Sequence, residues 1–113
     1  MPNETSITGF LRYPPEMKYT ANGIALTTFT IYDTDDKEYK RKQKVVVWAE
    51  LAEKCYEKLF ESAKVFIKGY LKPNVWTDKF GVEQFTTDLV AKRIWELDDQ
   101  EDEMNRAKEL TTE

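Results

Sequence analysis

KQKVVVWAELAEKCYEKLFES, residues 42–62, changes its hydrophobic period halfway along. Over 42–49, Lys42, Lys44, Val46 and Trp48 alternate with Val45 and Val47, which is the two-residue period of a strand. From residue 50 onward Leu51, Cys55 and Leu59 recur every four positions, with Ala52, Tyr56 and Phe60 beside them and Glu and Lys on the other face. That spacing predicts one amphipathic helix of about three turns over 50–62. A strand that runs directly into a single helix is the fixed point from which the remaining chain can be read.

On both sides of it the signals are those of strands. Residues 5–12 (TSITGFLR) are β-prone around Gly9, and a glycine inside a strand marks a bulge or a tight bend. Pro14-Pro15 stops the ladder, since neither residue can donate a backbone hydrogen bond. After the Asn22-Gly23 turn, residues 24–32 (IALTTFTIY) form a second strand, and Asp33–Arg41 is a polar loop. Beyond the helix, 64–75 is a fourth strand with Val65, Ile67 and Leu71 at even steps. Asp78-Lys79-Phe80-Gly81 turns the chain, and 83–96 returns as a fifth strand. The reading is all-β with one helix: a five-stranded barrel of the OB type with its helix between strands 3 and 4.

The net charge of −4 is unevenly divided. Residues 98–113 hold seven acids against Arg106 and Lys108, a net of −5, so 1–97 carry +1. We therefore expect a folded domain over 1–97 and an acidic, disordered tail over 98–113. Met104, Ala107 and Leu110 are the spaced apolar residues of that tail, and the alternative is a helix packed on the barrel or on a neighbouring subunit. No apolar run reaches the roughly 18–20 residues that cross a bilayer, and the N-terminus has no secretory pattern. A single cysteine leaves no internal disulfide, so a cytoplasmic setting is expected.

The chain has no histidine, which removes His-based triads and histidine-containing zinc sites. Cys55 lies on the helix's apolar face and reads as core; the four glycines are scattered and form no phosphate loop. We expect no enzyme, no cofactor and no metal, Asp35-Asp36 being two solvated carboxylates. Binding reads better. Lys42, Lys44, Val46 and Trp48 share one strand face, and Tyr70, Lys72, Asn74 and Trp76 share another. Lys40, Arg41 and Tyr39 lie in the adjoining loop. Cations that track a backbone and flat rings that stack on bases are what a single-stranded nucleic acid requires. The alternative for Trp48 and Trp76 is packing under loops or in a subunit contact.

Four ordered segments extend this reading to a family. Ile7-Thr8-Gly9 with Pro15-Glu16-Met17-Lys18-Tyr19, then Asn22-Gly23 with Phe29-Thr30-Ile31, form the first two. Val45–Glu53 (VVVWAELAE) and Val65–Leu71 (VFIKGYL) with Trp76-Thr77-Asp78 and Phe85–Ala91 (FTTDLVA) complete them. Together they resemble the DNA-binding domain of bacterial single-stranded DNA-binding proteins. The resemblance implies an OB fold, a homo-oligomer (tetramer ahead of dimer), and sequence-independent binding of single-stranded DNA in replication, repair or recombination. By position it makes Trp48 and Trp76 base-stacking residues and Lys44 and Lys72 phosphate contacts. Lys42 stands where many members carry a stacking tryptophan, and Pro73-Asn74-Val75 replace a stretch that is often basic. The chain lacks the family's Asp-Asp-(Ile/Leu)-Pro-Phe end, through which protein partners are recruited. The alternative function is an OB assembly module with weak or no DNA binding, similar to primosomal replication protein N.

Overall fold

The structure is a computed structural model that describes residues 4–97 and 108–111. The elements run β1 (Glu4–Leu11), β2 (Glu16–Tyr19), β3 (Ala25–Tyr32), β4 (Lys42–Trp48), α1 (Ala49–Lys58), β5 (Lys64–Thr77), β6 (Glu83–Leu97) and β7 (Lys108–Glu109). Five of the strands close a ring in the order β1-β5-β6-β4-β3, with β1 returning to β3 through Phe10↔Tyr32 and Leu11↔Ile31. The one parallel step, β4 to β6, is at Val45↔Leu89 and Val46↔Val90. This is the OB barrel. Among its five strands the helix falls between the third and fourth, as expected; β2 lies outside the ring.

Period-2 patterning builds the core. Val45 and Val47 are fully buried while their neighbours on β4 face outward, and Val65 and Ile67 repeat the arrangement on β5. Leu11, Ile31, Leu89 and Ile94 meet them inside, and Ala52 and Cys55 of α1 close one end. Thr27, also buried, satisfies its hydroxyl by donating to the Ala52 carbonyl oxygen at 2.7 Å. Burial pushes the Cys55 thiol up to about 12, so it is packing material rather than a nucleophile. Closure depends on two close backbone approaches. A Cβ on Gly9 would stand 2.5 Å from the Tyr32 carbonyl oxygen, and one on Gly69, at the register shift that leaves Lys92 of β6 unpaired as a bulge, would meet the Val90 carbonyl closer still.

The structure departs from the sequence reading in three places. Pro14-Pro15 end β1, yet pairing resumes at once: β2 adds to the edge of β3 with Glu16↔Thr28 and Lys18↔Leu26. The helix is shorter than its period suggests. Leu59 is extended (φ −88°, ψ 153°) although its side chain stays buried, and Ser62 takes a positive φ of 77°. Ser62 then donates its N–H to Leu11 at 2.7 Å, which stitches the segment to β1 and leaves Tyr56 and Phe60 outside at about half exposure. The third departure concerns the acidic segment. Lys108-Glu109 pair with β6 (Trp95↔Glu109, Glu96↔Lys108), and Leu110 donates its N–H to Ile94 at 2.8 Å with its side chain in the core. Lys108-Glu109 are thus docked as strand and Leu110 is buried beside them, neither free nor helical. Residues 98–107, with Met104 and Ala107, lie outside the described residues, as do 1–3 and 112–113.

Candidate nucleic-acid interface

The outward faces of β3, β4, β6 and β5 lie side by side and form the floor of an open groove of about 430 Å³, with β2 along one wall. Alternation on β4 delivers Lys44, Val46 and Trp48 to it; alternation on β5 delivers Lys72 and Asn74. Trp48 sits at the strand-to-helix junction, where Ala49 takes a positive φ of 62° that turns the chain away. The ring is 44% exposed, so it is not packed under a loop. Lys18, Lys44 and Lys72 face Glu16 and Asp88 around the groove. Asp88 is buried and accepts from the Thr86 hydroxyl at 3.3 Å, so the more exposed charges are the lysines and Glu16.

Trp76 is not in the groove wall but on its extension. β5 and β6 continue past the barrel as a two-stranded arm, with Lys72↔Asp88, Asn74↔Thr86 and Trp76↔Gln84 across it. At about 3.3 Å per residue, Trp76 stands some 7 Å beyond Asn74 on the same strand face. Its ring is 43% exposed. The arm's turn is organised by Asp78, whose carboxylate accepts the N–H groups of Val82 and Phe80 and the amide of Gln84 at 2.9–3.0 Å. Those hydrogen bonds, from Val82 first, hold its carboxyl below the usual carboxylate range. Gly81 completes the turn with a φ of 80°.

The other expected contacts are scattered. Tyr70 lies on the same face of β5 as Lys72, half-buried, with the Lys92 ammonium 5.5 Å from its ring centre. Lys42 opens onto a separate hollow of about 390 Å³, which it shares with Lys40, Arg41 and Tyr32. Lys40 pairs with Glu38 at 2.9 Å, and Arg41 faces Asp33 at 3.3 Å and Asp36 at 3.9 Å. Asp36 also accepts the N–H groups of Arg41, Lys40 and Glu38, and these bonds hold its carboxyl low. The basic stripe is therefore partly spent on closing its own loop. Tyr39, at φ 59°, is committed too: its ring lies edge-on to Tyr32 and Phe10, with the Arg12 guanidinium 4.0 Å from its centre.

Lys18 escaped the sequence reading because it is brought to the groove by β2, a strand of only four residues directly after Pro14-Pro15. Among the described residues no group of three or more His, Cys, Asp or Glu side chains could hold a metal ion, and no helix is long and apolar enough to cross a membrane. The arrangement can hold an extended, flat-based polyanion: rings at Trp48 and Trp76, cations between and beside them, and open ends. The family model described as the Single-strand binding protein family matches residues 2–97, most of the chain. With the OB barrel and this groove, the match shows that the chain belongs to the single-strand binding protein family.

Proposed function

We propose that the protein binds single-stranded DNA without sequence preference and without catalysis, stacking bases on Trp48 and Trp76 and holding phosphates with Lys44 and Lys72. The observation that carries this reading is the open groove that gathers Trp48, Lys44 and Lys72 and runs on to the arm bearing Trp76. Stacking is sequence-tolerant because every base has a π-face, and lysines read only charge. Tyr70, Lys42, Tyr39, Lys40 and Arg41 serve as outlying contacts, weakened where their rings or charges are already engaged. The setting is replication, repair or recombination in the cytoplasm, with the chain acting as a homo-oligomer, a tetramer ahead of a dimer. The domain is taken as 1–97 and the acidic segment as 98–113.

A second reading, an assembly module, draws support from the arm, where Val75, Phe80, Val82 and Phe85 are all more than half exposed. Anisotropy titrations of labelled oligothymidine, a mixed-sequence single strand and its duplex separate the two. Similar tight binding to both single strands and much weaker binding to the duplex is expected. No binding to either single strand would leave the assembly reading in place.

A further inference from the structure

Tyr13 is 58% exposed, and the groove's function as described leaves it unused. It lines a cleft of about 190 Å³ with Pro14, Thr30 and Phe29. Three residues of that cleft, Glu16, Thr28 and Lys44, also line the main groove, so the two are continuous. The Arg12 guanidinium stands 5.3 Å from the Tyr13 ring centre and 4.0 Å from that of Tyr39, which places one cation against two rings. Tyr13 is followed by Pro14-Pro15, and a residue before proline is restricted to extended backbone, so the ring is carried on a stiff support.

We propose that Tyr13, backed by Arg12, is a further base-stacking subsite on the β3 side of the groove, across the sheet from the strands that carry the arm. This rests on the single-stranded DNA reading of the groove and lengthens it. A strand with a base on Trp48 and a phosphate on Lys44 continues into the Tyr13 cleft, because Lys44 belongs to both. Glu16 is the carboxylate in the shared wall, so the phosphates pass on the Lys44 and Arg12 side. Arg12 neutralises the backbone there and covers one face of the ring, leaving the rest to a base. The binding path then has three exposed rings, Trp76, Trp48 and Tyr13, rather than two.

The test is the affinity of the full chain for labelled oligothymidine, with Tyr13→Ala, Tyr13→Phe, Arg12→Ala and, as reference, Trp48→Ala. Loss of one stack corresponds to a weakening of about fivefold or more, which Tyr13→Ala should show and Tyr13→Phe should not. Arg12→Ala should shallow the log–log salt slope by about 0.7, the share of one phosphate contact. If Trp48→Ala weakens binding and Tyr13→Ala does not, the subsite is wrong while the groove stands. If the wild type itself fails to bind, the groove reading falls and the subsite with it. Photocrosslinking of the wild type to a 5-iodouracil strand gives an answer that needs no variant to fold. Crosslinks at Tyr13 support the proposal; crosslinks confined to Trp48 and Trp76 overturn it.

Discussion

Trp48 and Trp76 reach solvent for the same local reason: each ends a run of outward positions on a strand whose alternate residues face inward or across the arm. Replacing either with alanine removes a stacking platform, and binding should weaken by about 1–3 kcal/mol per ring, as read by titration with oligothymidine. The cations differ more among themselves than their number suggests. Lys44 lies in the groove and pairs with no carboxylate among the described residues, whereas Arg41 already faces Asp33 and Asp36. Lys44→Glu should therefore shallow the log–log salt dependence by about 0.7 or more, and Arg41→Glu by distinctly less. Equal effects would mean that the loop's own ion pairs do not hold in the complex. Period-2 alternation made Lys44, Trp48, Lys72 and Asn74 legible as groove residues. The same rule placed Lys42 with them, but Lys42 opens onto another hollow, a difference set by the path of the sheet rather than by spacing.

Elements were legible where they carry their own apolar pattern. β3, β4, β5 and the start of β6 do, and each appears within a few residues of its expected bounds. β2 and β7 are too short to do so. EMKY alternates over only four residues straight after Pro14-Pro15, and KE is a single pair; their ladders are supplied by the exposed edges of β3 and β6, which only the folded barrel creates. Leu110 was visible as an apolar residue, but its burial follows from docking on β6 beside Ile94. Because its side chain is core, Leu110→Ala should lower stability by about 2 kcal/mol or more, seen as a downward shift of the denaturant midpoint. A midpoint unchanged by that substitution would mean the segment is not docked in solution. Beside it, Arg93 donates two hydrogen bonds to Glu109 at 2.8 Å, and this pairing holds the Glu109 carboxyl below its ordinary value. A carboxyl held low contributes stability above its unfolded pKa of about 4.3, and that contribution is lost as pH falls through the lowered value. The pair is partly open to solvent, so the effect is small. Glu109→Gln should flatten the acid limb of the stability curve only slightly.

Over the whole molecule, charge is separated along the chain, with +1 on residues 1–97 and −5 on 98–113. Docking of β7 fixes one end of the acidic stretch at Trp95–Glu96, five residues along β6 from Val90 in the groove. At about 3.3 Å per residue that is some 17 Å, twice the screening length of about 8 Å at 0.15 M salt but well within the 30 Å at 0.01 M. Changing Asp98, Asp99, Glu101, Asp102 and Glu103 to their amides should tighten DNA binding at 0.01 M salt and leave it nearly unchanged at 0.15 M. The central claim, that the exposed tryptophans of a lysine-lined groove and its adjoining arm stack on unpaired bases, is tested most directly by intrinsic fluorescence during titration with poly-dT. Trp95 serves as the internal reference, half-buried against Phe66 at 5.3 Å with the Arg93 guanidinium 4.7 Å from its ring centre. The account predicts saturable quenching in the wild type, reduced in Trp48→Ala and in Trp76→Ala and nearly absent when both are replaced and Trp95 alone remains. Binding that leaves the wild-type fluorescence unchanged, or quenching that survives in the double variant, would contradict it.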